Sequence, residues 1–355
     1  MIKQLKLSNF TAFKEAELNF SHGINVIIGE NGTGKTHLLK LIYFLINVEN
    51  SIGNFKKEWD ICRNYLLDIF NVKTVDELKN IHSDGISKID TYLEQNLNSS
   101  KKYSTLYETN RSHLFSTHFG YSALNLRLNK SWTDETKFGK TIYIPDKEII
   151  SWFKEFYLAC NTQEKSFGKI YTDLAFNLKL PKCKEVSPSL EITLKILQDI
   201  VGGSLELEED KFFLVSKDLK RTQANLLSKG ILKLATLLHL IENGSLEIGD
   251  TLIWDNPETN LNPKLIKILV GCFYFLNQSG IQIIISTHNY FLLKELDILH
   301  CSSVKKFEIN CINLIRIGND VNIEQSASFD DISSWVTLDE ELAQYDRCQA
   351  LYYDQ

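Results

Sequence analysis

The 355-residue sequence is short of several things, and each shortage removes a class of protein. Its seven cysteines, at 62, 160, 183, 272, 301, 311 and 348, form neither a CxxC pair nor a regular spacing. That removes support for a zinc knuckle or a disulfide scaffold and predicts reduced thiols in a cytoplasmic protein. It lacks a surplus of positive charge. Lys and Arg number 39 against 45 Asp and Glu, a formal charge of -6, so no general attraction to nucleic acid or an anionic membrane is expected, although a local basic stripe stays open. It lacks long apolar runs: HLLKLIYFLINV and ILVGCFYFL are too short or too interrupted to cross a bilayer, and MIKQLKLSNF does not read as a signal peptide. It also lacks a heptad repeat long enough for a protruding coiled coil.

Present instead is 43% hydrophobic content, enough for one large α/β domain or a core domain with a substantial insertion. Apolar β-like segments at 24–28, 251–254 and 281–286 each lead into a polar turn and then a helical pattern, as a buried, mainly parallel sheet requires. KQLKLSNF and AELNF predict an edge hairpin around Thr11–Lys14 that covers one side of a nucleotide site.

The stretch from the first helix to residue 228 is less regular. VDELKNI and ISKIDTYLEQNL read as helical, 103–128 and 138–144 as strand-like, and Pro145 as a helix start ahead of Ile149, Trp152, Phe153 and Phe156. A helix is expected over Leu190–Ile200, stopped by Gly202 and Gly203, then a hairpin closed by Glu208–Asp210. The expected division is 1–48 and 204–355 for the two parts of a core, with 49–203 as an inserted helical lid with added strands.

Residues 29–36, GENGTGKT, match the GxxxxGK[ST] phosphate loop in full, between a strand and a helix. Gly29, Gly32 and Gly34 permit the tight turn. With Glu30, Asn31 and Thr33 they present backbone amides to phosphate oxygens, and Lys35 reaches the β and γ phosphates. Thr36 offers a hydroxyl to Mg²⁺, and Asp255, delivered at the end of TLIWD, offers a carboxylate directly or through water.

The Asn9–Phe10 pair, GENGTGKT, LLSKG at 226–230, DNPETNLNP at 255–263 and STHN at 286–289 together resemble the ABC-type ATPases of the SMC, recombination-repair and OLD-like branch. YIPDKEI at 143–149, LLSKG and DNPETNLNP, with a short carboxyl-terminal extension, look especially like small stand-alone ATPases of bacterial anti-phage systems, some of which act with an HNH nuclease or another toxic effector. The resemblance covers nearly the whole core with the motifs in order, but 49–140 carries no family marker. It implies an ABC-type P-loop ATPase head with a mixed, mainly parallel sheet and an inserted helical lid.

It also implies that Ser228 and Gly230, in an altered form of the LSGGQ signature, meet the γ phosphate across a dimer, and that His288 is the switch histidine. Local chemistry offers plainer roles: Ser228 and Asn262 as helix N-caps, His288 as a structural side chain at a strand end. Where the usual member carries a water-orienting glutamate, this chain has Asn256, whose amide can hold water but cannot accept its proton. Glu258 stands two residues on. Three outcomes stay open: slow hydrolysis in an ATP-binding switch, ordinary hydrolysis assisted by Glu258, His288 or a rearranged residue, and an inert nucleotide fold.

The resemblance implies ATP and Mg²⁺ as cofactors and a homodimer or higher oligomer. It implies a separate nuclease, toxin or reverse-transcriptase-containing defence component, with nucleic acid admissible within that complex and no membrane. The alternative is a DNA-repair or chromosome-maintenance ATPase that clamps DNA as an ATP-driven homodimer. No built-in nuclease is evident. KKFEIN and INLIRI read as a strand pair, and Asp330, Asp331, Asp339, Glu340 and Glu341 as an acidic surface. Trp335, Leu338, Leu342 and Tyr345 form the apolar side of a terminal helix.

Overall fold

A computed structural model describes residues 1–51, 59–80, 87–94, 112–120, 123–128, 139–161, 168–302 and 307–353. The chain opens with β1 (Ile2–Phe10), β2 (Phe13–Asn19), β3 (Ile24–Gly29) and α1 (Lys35–Ser51). Next come α2 (Trp59–Phe70), β4 (Ser87–Glu94), β5 (Ser112–Gly120), β6 (Ala123–Leu128) and β7 (Thr141–Ile144). They are followed by α3 (Phe153–Asn161), α4 (Lys169–Leu178), α5 (Glu191–Val201), β8 (Gly203–Glu208), β9 (Lys211–Ser216) and β10 (Arg221–Gln223). The last third holds α6 (Lys229–Glu242), β11 (Thr251–Asp255), α7 (Pro263–Gln278), β12 (Gln282–Ser286) and α8 (Tyr290–Ser302). It closes with β13 (Ile309–Ile317), β14 (Asp320–Ser326) and α9 (Val336–Tyr353).

The central sheet has the order β14-β13-β3-β12-β11-β7, parallel throughout except for the antiparallel edge pair β13–β14. Its inner strands are continuous apolar runs because both faces are covered. Alternate residues serve different cores: Leu252, Trp254, Ile283 and Ile285 pack toward α6 and α7, whereas Ile253 and Ile284 pack toward α1 and the β1–β2 hairpin. Asp255 pairs with Ser286 and Ser286 with Ile27, so Asp255, Ser286 and Gly29 reach the same edge, the carboxyl ends of parallel strands.

The expected amino-terminal hairpin forms, and so does the hairpin of β8 and β9. Gly202 closes α5 in the left-handed conformation, as expected (φ 81°). Other expectations need correction. Of ISKIDTYLEQNL, the described residues 87–94 are a strand, antiparallel to both β1 and β5. Ser87, Ile89 and Thr91 alternate into the interior, a period of two that eight residues could not distinguish from a helical face before a partner strand was known. β4, β5 and β6 extend β1–β2 into a five-stranded sheet. Residues 95–97 and 103–111 lie outside the described residues. β7 is the edge strand of the central sheet through β11, so part of the 49–203 segment sits in the same sheet as the phosphate loop strand.

The helix expected from Pro145 begins at Phe153, after a one-turn 3₁₀ segment at Ile150–Trp152, because Pro145 and Asp146 belong to the turn leaving β7. The carboxyl-terminal strand pair is INCINLIRI with DVNIEQS, not KKFEIN with INLIRI; Lys305 and Lys306 lie outside the described residues. Trp335, just before α9, and Leu338 on it pack against the core, but Leu342 (56%) and Tyr345 (61%) are exposed, so the expected apolar side is covered only at its start.

Candidate functional site

The loop between β3 and α1 is built on three glycines with positive φ, Gly29 (139°), Gly32 (80°) and Gly34 (94°). At Gly29 a Cβ would lie 2.5 Å from the Leu314 carbonyl of β13, and at Gly34 it would press on Phe13 and Ala12 at 3.1–3.2 Å. The β1–β2 turn therefore backs the loop. Thr33, fully buried, donates its hydroxyl to the Glu30 carbonyl at 2.8 Å. Lys35 Nζ donates to the carbonyls of Gly29 (2.7 Å) and Glu30 (2.8 Å). Burial lowers the Lys35 pKa, while Asp255 and Glu30 pull it back up. The ammonium thus rests on loop oxygens, within the space an anionic ligand would claim. Arg316 of β13 donates to the Gly32 carbonyl at 2.5 Å, bringing a second cation to the loop mouth.

Asp255 is the hub of the second half. Its Oδ2 accepts from the Thr36 hydroxyl (2.8 Å) and from the phenol of buried Tyr143 (3.4 Å). Its Oδ1 accepts a short hydrogen bond from Ser286 and a longer one from Asn256 Nδ2 (3.4 Å). Burial drives the Tyr143 phenol far above its ordinary pKa, with the Asp255 charge adding to the shift, so this phenol stays a donor. Thr36 and Asp255 together offer only oxygen, a set that suits a hard divalent cation which keeps most of its water.

Asn256 stands in the left-handed region (φ 46°), where asparagine is tolerated better than most residues. Its N–H donates to the Ser286 carbonyl at 3.1 Å, and its own carbonyl accepts from Lys233 Nζ at 2.8 Å. Its side-chain Oδ1 is buried without a partner among the described residues. Glu258 is only 5% exposed. Its Oε1 accepts from the Thr287 hydroxyl at 2.7 Å, and its Oε2 has no partner among the described residues. Burial raises its pKa, opposed first by its own backbone N–H, then by Thr287, His288 and Lys233.

His288 is exposed, with its carbonyl accepting from Thr337 at 2.7 Å. Asn289 caps α8 through Leu292 N (2.9 Å). Ser228 does act as the N-cap of α6, accepting from Ile231 N at 3.3 Å, and Asn262 caps α7 through Leu265 N at 3.1 Å. Gly230 has a packing reason to be glycine: a Cβ there would lie 2.5 Å from the Asn260 carbonyl.

The structure thus brings Gly29, Glu30, Thr33, Lys35, Thr36, Asp255 and Asn256 into one connected set. Ser228 and Gly230 stand at the start of α6 against the 260 turn, and among the described residues no hydrogen bond links them to 29–36. Tyr143, Asp146, Thr259 and Ser286 lie within YIPDKEI, DNPETNLNP and STHN but were given no role of their own by sequence reasoning, and Arg316 and Lys233 were not singled out. Only Lys233 carried a clear signal, being a charge inside the apolar run ILKLATLL. Among the described residues no group of three or more His, Cys, Asp or Glu could hold a metal by itself, and no helix is long and apolar enough to cross a membrane.

Residues 24–294 match the protein family described as AAA domain, putative AbiEii toxin, Type IV TA system. The chain is similar to the DNA replication and repair protein RecF of Streptococcus gordonii, 46% identical over 44 residues, 12% of either chain. It is also similar to RecF of Clostridium kluyveri, 34% identical over 103 residues, 25% of this chain and 28% of that one. The matched stretches therefore span well under a third of these relatives. The SMC head domain from Thermotoga maritima shares the fold at a TM-score of 0.51 and 14% identity, over 92% of this chain and 98% of that one. An SMC head bound to the C-winged helix domain of ScpA gives 0.55 and 13%, over 93% and 98%.

Proposed function

The chain belongs to the family described as AAA domain, putative AbiEii toxin, Type IV TA system, an ATP-binding P-loop ATPase with the head fold of SMC proteins, and from that premise we propose a role for it. It is the slowly hydrolysing ATP sensor of a cytoplasmic anti-phage assembly whose output is a separate nuclease or toxin. Asn256 carries this reading. It stands directly after Asp255, locked by Ser286 and Lys233, with an unpartnered Oδ1. An amide oxygen can accept a hydrogen bond from water and so orient it, but it does not take up the proton as a carboxylate does. Glu258 gives one carboxylate oxygen to Thr287, and whether it serves as a displaced base is what Glu258→Gln decides. General base assistance is worth about 10²–10⁴-fold, so turnover slower by that order is expected with binding intact.

Gly29 to Thr36 hold the phosphate chain, Lys35 leaving its carbonyl partners for the phosphates, while Thr36 and Asp255 hold Mg²⁺. Ser228 and Gly230 address the nucleotide of a second copy, and exposed His288 reports on the γ phosphate. Bound Mg-ATP supplies the anionic group that these residues recognise. The exposed stretch of α9 around Leu342 and Tyr345 is the candidate effector contact.

The test is purified protein with Mg-ATP: tight retention, slow phosphate release, and faster release in Asn256→Glu. Rapid release that disappears in Glu258→Gln overturns the reading. The likeness to RecF and to SMC heads favours one second reading, a homodimer that clamps DNA. It prevails if removal of the gene leaves phage resistance unchanged and ATP closes the protein on DNA with no effector bound.

A further inference from the structure

Helix α6 is buried along Leu232–Glu242, and within that apolar run stands Lys233, 1% exposed. A buried ammonium is costly unless its donors are used. Here they meet the Asn256 carbonyl at 2.8 Å, the Thr259 hydroxyl in a short contact, and the half-exposed Asp146 carboxylate at 3.5 Å. Thr259 also reaches Asp146 Oδ1 at 2.7 Å. Three segments are thus joined at one nitrogen: the helix that starts at Ser228, the turn after β7, and the 256–259 turn that displays Asn256. Burial lowers the Lys233 pKa, and Asp146, then Glu258 and Asp255, oppose that shift.

The bond to Asn256 is the informative one. A packing role for Lys233 would be met by any apolar side chain of its length, yet it is a charged donor aimed at the peptide carbonyl of a residue in the left-handed region. That conformation is held from both sides, by Asn256 N–H on Ser286 and, on Asn256 C=O, by Lys233 at 2.8 Å with the Thr259 hydroxyl (3.0 Å) and N–H (3.3 Å) beside it. Rotation of this peptide unit would move the Asn256 amide relative to Asp255 and Thr36.

We propose that Lys233 is a positioning residue that fixes the Asn256 peptide, and with it the side-chain amide at the nucleotide site, and that it transmits displacements of the start of α6 to that amide. The proposal rests on the reading of Asn256 as the residue that orients water.

The test is a double-mutant cycle on the full chain, with amide hydrogen exchange as a readout independent of turnover. In Lys233→Met, kcat falls about 10-fold with KM within 2-fold, and exchange quickens at 256–260 but not across 29–36. Lys233→Arg recovers most of both. In an Asn256→Ala background Lys233→Met costs no further kcat, because no amide remains to be placed. Thr259→Val, which removes the hydroxyl that meets Lys233, Asp146 and the Asn256 carbonyl together, gives a smaller change in the same direction and serves if Lys233→Met does not fold. Multiplicative losses in the cycle, unchanged exchange at 256–260, or weakened nucleotide binding at unchanged kcat each overturn the proposal. If the parent protein shows no hydrolysis, the slow-ATPase reading fails while the exchange measurement still decides the role of Lys233.

Discussion

Two turns leave the same edge of the central sheet and are built on opposite plans. The 29–34 loop after β3 uses glycines with positive φ, and its carbonyls are occupied by Lys35 and Arg316, side chains that a phosphate chain can recruit. The 256–262 turn after β11 uses asparagines at positive φ, Asn256 and Asn260, and is bonded to Ser286, Lys233, Thr259 and Asp146. The first holds its ligand groups in reserve, and in the second the Asn256 peptide is bonded at both its N–H and its carbonyl by the protein. Binding needs backbone that can exchange partners, whereas placing one amide needs backbone that cannot.

The largest expected effect breaks the contrast at its chemical point. Asn256→Glu supplies a carboxylate and raises phosphate release about 10²-fold, the low end of the base contribution because glutamate is less at ease than asparagine at φ 46°. Release no faster than in the parent would show that a carboxylate at position 256 is not placed to activate water. Lys35→Ala breaks the other turn. Charge-assisted hydrogen bonds are worth about 1.5–3 kcal/mol, so nucleotide retention measured by equilibrium dialysis weakens about 10–100-fold. Gly230→Ala sharpens the comparison, since its Cβ meets the Asn260 carbonyl and not the phosphate loop. A loss of about 1–3 kcal/mol in denaturant unfolding, with slower phosphate release, is expected.

The smallest effect lies at the opposite end of β11. Burial raises the Asp250 pKa to about 7, against the two backbone N–H groups, Glu247 and Lys140, that favour its charge. The folded state holds that proton more tightly than the unfolded chain, so the stability from this group is full below about pH 4 and is lost as pH rises through 7. Denaturation at pH 5.5, 6.5 and 8 should show falling stability that flattens in Asp250→Asn, with nucleotide retention unaffected at each pH.

What could be read from the sequence followed the chemistry of burial. Strands covered on both faces write themselves as INVIIG, TLIWD and QIIIS, and a phosphate loop needs glycine, lysine and threonine at fixed spacing, so the parallel core and Asp255 at its edge were legible. Residues 87–94 were not, because Ile89 and Leu93 also suit a helix, and only pairing with β1 and β5 chooses the strand. The clasp around the 256 turn was hidden for a related reason. Tyr143, Asp146 and Ser286 are each ordinary where they stand, and only the strand order β3-β12-β11-β7 makes them neighbours.

That strand order also times the birth of the protein. β3 lies between β12 and β13, so Ile24 pairs with Ile283 and Ile309, more than 250 residues downstream. At ribosomal rates of about 5–20 residues per second, those partners are made about 15–60 s after the phosphate loop strand itself. Throughout that interval the GENGTGKT segment exists as nascent chain without the two strands that flank β3, so the phosphate loop reaches its folded surroundings only after β12 and β13 have been made.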